Sequence, residues 1–240
     1  LFILEHAMTL AIVSAMHEEL AAVLALMPDE QKVVAGGREY WRGHLQGHEV
    51  IAVLSRIGKV SAATTATALV ERFGVTRMVF TGVAGGLATG VDVGDVVIAD
   101  AFLQHDLDVS PLFPRHEVPL YGTDRFATDA SLSGQLVQAV RSALPAVRVH
   151  RGLVVSGDRF VSTSAESDAL RRQLPDALAV EMEGAAIAQV CHDYGVAYAA
   201  VRTVSDRADD AAHGDFTTFV QQVASRHSAA IVAALLERLA

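Results

Sequence analysis

Short apolar runs alternate with helix-spaced runs along most of this 240-residue chain, and that alternation restricts the fold more than any other feature. Strand-like runs stand at Thr9–Ala15, Glu39–Leu45, His48–Ser55, Val75–Thr81, Asp95–Leu103, Arg148–Val155, Leu178–Met182 and Ala197–Val204. Helix-spaced runs stand at His17–Leu26, Ser61–Phe73, Asp129–Leu144, Thr163 to about Leu174, Gly184–Tyr194 and Phe216–Leu239. Gln46-Gly47 reads as a hairpin turn, and Thr163 with Glu166 as a capping box. Apolar strands interleaved with helices must be covered on both faces. This predicts a three-layer α/β/α fold, and the early hairpin makes its central twisted sheet mixed. No linker, repeat or low-complexity segment separates two halves, so residues 1–240 are expected to form a single domain, with 1–8 as an N-terminal extension.

Composition narrows the partners. Hydrophobic residues make up 51% of the chain and charged residues 20%, enough for a core and unlike a disordered segment. A net charge of −9 argues against a nucleic-acid backbone or an anionic membrane as partner. The single cysteine, Cys191, cannot form an internal disulfide. The first sixteen residues lack the Lys or Arg of a signal peptide, and the apolar stretch from Met8 to Met16 is too short to span a bilayer. The expected location is the cytoplasm.

In folds of this class ligands sit at the carboxyl ends of strands. Those ends are Ala15–Glu19, Ser55–Lys59, Gly82–Gly86, Val155–Phe160, Glu181–Glu183 and Ser205–Asp206. Glu18 and Glu19 either complement a helix dipole or place a base in the cleft. The glycine-rich stretch Gly82–Gly90 reads as a loop in which backbone can approach a ligand. Ala84 breaks the dinucleotide fingerprint there, and Val53 and Val60 break a phosphate-binding P-loop around Gly58-Lys59. Glu181 and Glu183 end an apolar run one residue apart, so in extended chain they point the same way. Two like charges need a polar partner, and vicinal ribose hydroxyls suit them; a solvated pair is the other reading. Asp206 ends another apolar run, with Asp209 and Asp210 behind it, but no His or Cys at ligand spacing accompanies them. No metal or cofactor is expected. Residues 104–126, with three of the six prolines, read as a long loop, and His105-Asp106 within it as a surface pair.

Six motifs then fall together. Ala15-Met16-His17-Glu18-Glu19, Ile57-Gly58-Lys59-Val60, Thr81-Gly82-Val83-Ala84-Gly85-Gly86-Leu87, Val155-Ser156-Gly157-Asp158, Val180-Glu181-Met182-Glu183 and Ser205-Asp206, in this order, resemble the 5′-methylthioadenosine/S-adenosylhomocysteine nucleosidases of the purine nucleoside phosphorylase superfamily. The resemblance runs from about Thr9 to the C-terminus. It implies hydrolysis of the N-glycosidic bond of a 5′-thio-substituted adenosine. Asp206 would protonate adenine N7 and Glu19 would activate the water. Glu183 would hold the ribose 3′-OH, the Met182 backbone the 2′-OH, and Glu181 would support that end. Phe160 would stack on adenine, with the Val161 backbone at its polar edge. Ser205 and Arg202 would orient Asp206, and Phe216 would help cover the 5′ group. Val83, where many members carry Ser, would line the ribose or water side. The resemblance also implies a homodimer in which the 105–113 loop nears the partner's site.

Two other readings are weighed. In phosphorolysis, phosphate replaces water; the related phosphorylases use an Arg and a Ser where this chain has Phe80 and Val83, which favours hydrolysis. Arg56, where many nucleosidases have Gly, either holds an anion or pairs with a carboxylate such as Glu19 or Glu183. A non-catalytic nucleoside-binding protein is the other class, and it gives no chemical reason for Glu19, Glu183 and Asp206 to occur together.

Overall fold

The computed structural model describes residues 9–209 and 219–239. Its elements run β1 (Leu10–Ser14), α1 (His17–Leu24), β2 (Gln31–Ala35), β3 (Arg38–Leu45), β4 (His48–Leu54), α2 (Lys59–Phe73), β5 (Arg77–Gly86), β6 (Val96–Gln104), β7 (Arg125–Ala127) and α3 (Ala130–Ala143). They continue with β8 (Val149–Ser156), α4 (Ser164–Gln173), β9 (Ala177–Glu181), α5 (Gly184–Tyr194) and β10 (Ala197–Asp206). A π-helical turn at Val220–Ala224 leads into α6 (Ser225–Leu239).

One mixed sheet carries the ten strands. From its open edge the order is β2-β3-β4-β1-β5. The β3–β4 hairpin turns at Gln46-Gly47, both with positive φ, as its sequence predicts. β5 then forks. Along Arg77–Gly85 it lies parallel to β10, whereas its last two residues, Gly85 and Gly86, pair antiparallel with β9. β10, β6, β8 and β9 follow in turn, so this half of the sheet closes into a ring with β5. β1 accompanies β5 only as far as Ser14 opposite Thr81. Beyond that point β1 and β9 diverge and leave a gap over Gly82–Ala84.

Helices cover both faces. Ile12, Leu132, Leu136, Ile231 and Leu235 pack α1, α3 and α6 on one side; Leu69, Met78, Phe80, Ile187 and Cys191 pack α2 and α5 on the other. A third cluster sets Leu170 of α4 against Leu153 and Val155 of β8. α2 and α5 each end in a left-handed glycine, Gly74 and Gly195. The Asp129 side chain caps α3, accepting from the Leu132 N–H at 2.7 Å, and Thr163 caps α4. No described helix is long and apolar enough to cross a membrane.

Three expectations change. Gly82–Gly86 is strand, not loop, because its glycines admit crowded neighbours: a Cβ on Gly85 would meet Asp206 Oδ1 and Ala208 Cβ at 3.0 Å. β2 is an added edge strand of mostly exposed residues, held to β3 across the Gly36-Gly37 turn. The 104–126 segment ends in β7. Phe216 and Asp210 lie outside the described residues.

Gly184 shows how tightly α5 seats. A Cβ there would stand 2.1 Å from Phe102 Cε1, and Phe102 is fully buried. Gly184→Ala is therefore expected to destabilise the protein by about 1–3 kcal/mol despite alanine's better helix propensity. A lowered urea midpoint would show this; an unchanged one would mean that Phe102 can move aside.

Candidate active site

The gap opened by the fork is a cavity of about 330 Å³. Its floor is Gly82–Gly85 of β5. Around it stand Ala15 and Met16 after β1, Ile57 after β4, Arg159–Val161 after β8, Val180–Glu183 at the end of β9, and Arg202, Ser205 and Asp206 of β10. All the site residues read from the sequence and described here line this cavity except Glu19, which borders it beneath Gly82.

Glu19 occupies the first turn of α1 and is fully buried. Its Oε2 accepts from the Met16 N–H at 3.2 Å, while Oε1 has no partner within the protein. Burial pushes its pKa up to about 7, against the pull of the Arg202 charge. A Cβ on Gly82 would lie 3.3 Å from both Glu19 Oε1 and Arg202 Nη1, so glycine suits that floor position.

Arg202 is buried in β10 with its guanidinium 3.6 Å from the Phe80 ring centroid. Its Nη2 pairs with Glu181 Oε2 at 2.8 Å, and its Nη1 donates to the Phe80 and Val201 carbonyls. These contacts correct the expected link to Asp206: β10 turns the side chain toward the end of β9, where Glu181 supplies the buried counter-charge. Glu181 also accepts from Ser156 Oγ and from the backbone N–H groups of Glu183 and Gly184. It thereby fixes the start of α5, with Ser156 Oγ accepting from the Ala185 N–H at 2.8 Å.

Glu183 precedes α5 and is buried. Burial and then the neighbouring Glu181 charge push its pKa up to about 8, opposed by the Gly58 N–H that donates to Oε1 at 2.8 Å. The sequence reading missed the contacts that hold Gly58. Lys59 N donates to Asp158 Oδ1 at 2.7 Å, Lys59 Nζ pairs with Asp106 Oδ1 at 2.6 Å, and Asp106 Oδ2 accepts from Asp158 N. Asp106, exposed as its sequence predicts, thus ties β6, α2 and the end of β8 together. The signal was there in the Ile57–Lys59 and Val155–Asp158 motifs, but not which residues meet.

Asp206 accepts from Ser205 Oγ at 2.8 Å and from the Ala208 N–H at 2.7 Å, so both oxygens are oriented. Phe160 is 37% exposed at the mouth, with Val161 buried beside it. Arg56 makes no bond to Glu19 or Glu183. It donates to the Gly37 carbonyl at 2.6 Å and lies outside this cavity. The two cations that line the cavity, Arg202 and Arg159, face Glu181 and Glu166. Among the described residues no cluster of His, Cys, Asp and Glu has the arrangement of a metal site.

Known proteins share this fold. The profile of the phosphorylase superfamily matches residues 9–237. The 5′-methylthioadenosine/S-adenosylhomocysteine nucleosidase of Shewanella denitrificans is 36% identical over 232 residues, 97% of this chain and 100% of that protein. The crystal structure of the nucleosidase of the same name from Neisseria meningitidis, in complex with methylthio-immucillin-A, is 37% identical. It superposes with a TM-score of 0.91 over 96% of this chain and 99% of its own. A futalosine hydrolase of Helicobacter pylori is 30% identical, with a TM-score of 0.90 over 97% and 98%. With its fold and its sequence in agreement, the chain belongs to the 5′-methylthioadenosine/S-adenosylhomocysteine nucleosidases of the phosphorylase superfamily.

Proposed function

We infer that the cavity cleaves the N-glycosidic bond of 5′-methylthioadenosine and S-adenosylhomocysteine with water, releasing adenine and the 5-thioribose product. The observation that carries this reading is the convergence of three buried carboxyl groups, Glu19, Glu183 and Asp206, around one cavity whose mouth carries an aromatic ring.

Adenine leaves only once N7 is protonated, and its departure gives the sugar oxocarbenium character. Asp206, oriented by Ser205 and Ala208, delivers the proton to N7. Phe160 stacks on the base and the Val161 backbone meets its polar edge. Glu183 holds the 3′-OH and the Met182 backbone the 2′-OH. Glu19 orients water through Oε1, the oxygen without a protein partner, and takes its proton as the C–O bond forms. Glu181 and Arg202 act through position, setting the end of β9 and the start of α5. Val83 borders the ribose, and Phe216 is assigned to the 5′ group. No step needs a metal or cofactor. This activity serves methionine salvage and S-adenosylmethionine recycling in the cytoplasm. A homodimer fits the exposure of Leu112 (79%) in the 105–113 loop and of Leu120 (92%) just after it.

Phosphorolysis needs a free cation for phosphate, and both cations lining the cavity face carboxylates. Adenine release from 5′-methylthioadenosine is therefore expected in phosphate-free buffer, at a rate that added phosphate leaves unchanged. Turnover only with phosphate would overturn the hydrolytic reading.

A further inference from the structure

The Gly58 N–H that donates to Glu183 Oε1 is itself held from outside the cavity. One carboxyl oxygen of Glu183 is pinned by this bond, which leaves the other at a defined place for a ligand. Gly58 stands just before α2 with a φ of +93° and has no side chain to cap the helix. The cap comes from a residue after β8: Asp158 Oδ1 accepts from the Lys59 N–H at 2.7 Å. A carboxylate there also suits the positive end of the helix.

Asp106, after β6, closes the arrangement. Its Oδ2 accepts from the Asp158 N–H at 2.9 Å, and its Oδ1 pairs with Lys59 Nζ at 2.6 Å. Gln104 Oε1 accepts from the same Nζ at 3.0 Å. Lys59, Asp158 and Asp106 thus form a closed circuit of charge-assisted bonds across α2, β8 and β6. The Lys59 side chain is only 17% exposed, so the pair is more than a solvated surface contact. None of the three residues lines the cavity.

We propose that Lys59, Asp106 and Asp158 are positioning residues for Glu183, acting through the Gly58 N–H, and that they set how strongly the cavity selects a ribose 3′-OH. The proposal rests on the nucleosidase reading. A glycine freed from this circuit can drift, and small displacements of a group that orients substrate are costly.

Steady-state kinetics with 5′-methylthioadenosine and its 3′-deoxy analogue test it, using the wild type, Asp106→Asn and Lys59→Met. Each variant breaks the Lys59–Asp106 pair from one side and keeps the size of the side chain, so both should fold. A substrate without the 3′-OH is blind to the place of Glu183. The ratio of kcat/KM for 5′-methylthioadenosine to that for the 3′-deoxy analogue is therefore expected to fall about three- to tenfold in both variants, as for the loss of one hydrogen bond. A merely structural role would lower both substrates alike. Equal losses, an unchanged ratio, or a wild type indifferent to the 3′-OH would overturn the proposal. If the wild type cleaves neither compound, the nucleosidase reading fails. Calorimetric binding of the same two nucleosides to the three proteins then decides the circuit separately: loss of the 3′-OH preference in the variants supports it, and no loss overturns it.

Discussion

Asp206→Asn should lower kcat by about 10²–10⁴ while leaving the affinity for an uncleaved adenosine thioether nearly unchanged. An amide keeps the size of the carboxyl and can still accept from Ser205 Oγ or the Ala208 N–H through its oxygen. It loses the transferable proton, and with it the means to neutralise adenine as it departs. Rapid-quench turnover and equilibrium binding of the same ligand separate the two effects. Full activity in Asp206→Asn would remove this residue from the chemistry. Binding lost in parallel with turnover would make it a structural residue. Binding of the thioether unchanged, without turnover, by the wild type itself would favour the non-catalytic reading.

Glu19→Gln should abolish turnover to a similar extent and yet stabilise the protein above neutral pH. The folded carboxyl keeps its proton up to about pH 7, whereas the unfolded chain gives it up near the ordinary 4.5. The native state therefore binds more protons across that window, and stability falls as pH rises from about 4.5 through 7. Over this shift of about 2.5 pH units, at about 1.4 kcal/mol each, ionised Glu19 costs about 3–4 kcal/mol. Glutamine is neutral at every pH and can still accept from the Met16 N–H. Denaturant unfolding at pH 8 should show the variant as the more stable protein, with the gap closing toward pH 4.5. A constant gap across that range would mean that Glu19 is not the group titrating. The same ionisation sets the acid side of the wild-type rate profile, since a protonated Glu19 cannot take the water's proton.

What singled out Glu19 and Asp206 in the sequence was the resemblance; the apolar runs before them left a helix-dipole partner and a solvated acidic turn as open readings. β1, β4, α2 and α5 were legible directly, because their hydrophobic spacing matches the element they form. β2 was not, because Gln31–Ala35 exposes most of its side chains and owes its place to backbone pairing with β3. Gly82–Gly86 misled in the opposite direction. Glycines usually mark a loop, but these are strand residues whose missing side chains make room for Glu19, Arg202 and Asp206. The partners of Arg202 and Arg56 were beyond local pattern. Arg202 meets Glu181 only because β10 and β9 both flank β5, and Arg56 meets Gly37 only because β2 and β3 form a turn that the sequence hides.

The fork in β5 gives the bound molecule a second part to play. Over Gly82–Ala84 the strand has β10 on one side and no strand on the other. A nucleoside lodged there stands where a neighbouring strand would, touching the carboxyl ends of β1, β9 and β10 at once. By filling that seam it adds contacts that exist only in the folded protein, so affinity and resistance to unfolding rise together. Each turnover replaces one ligand by two smaller ones, and the added stability lasts only until adenine and the thioribose leave.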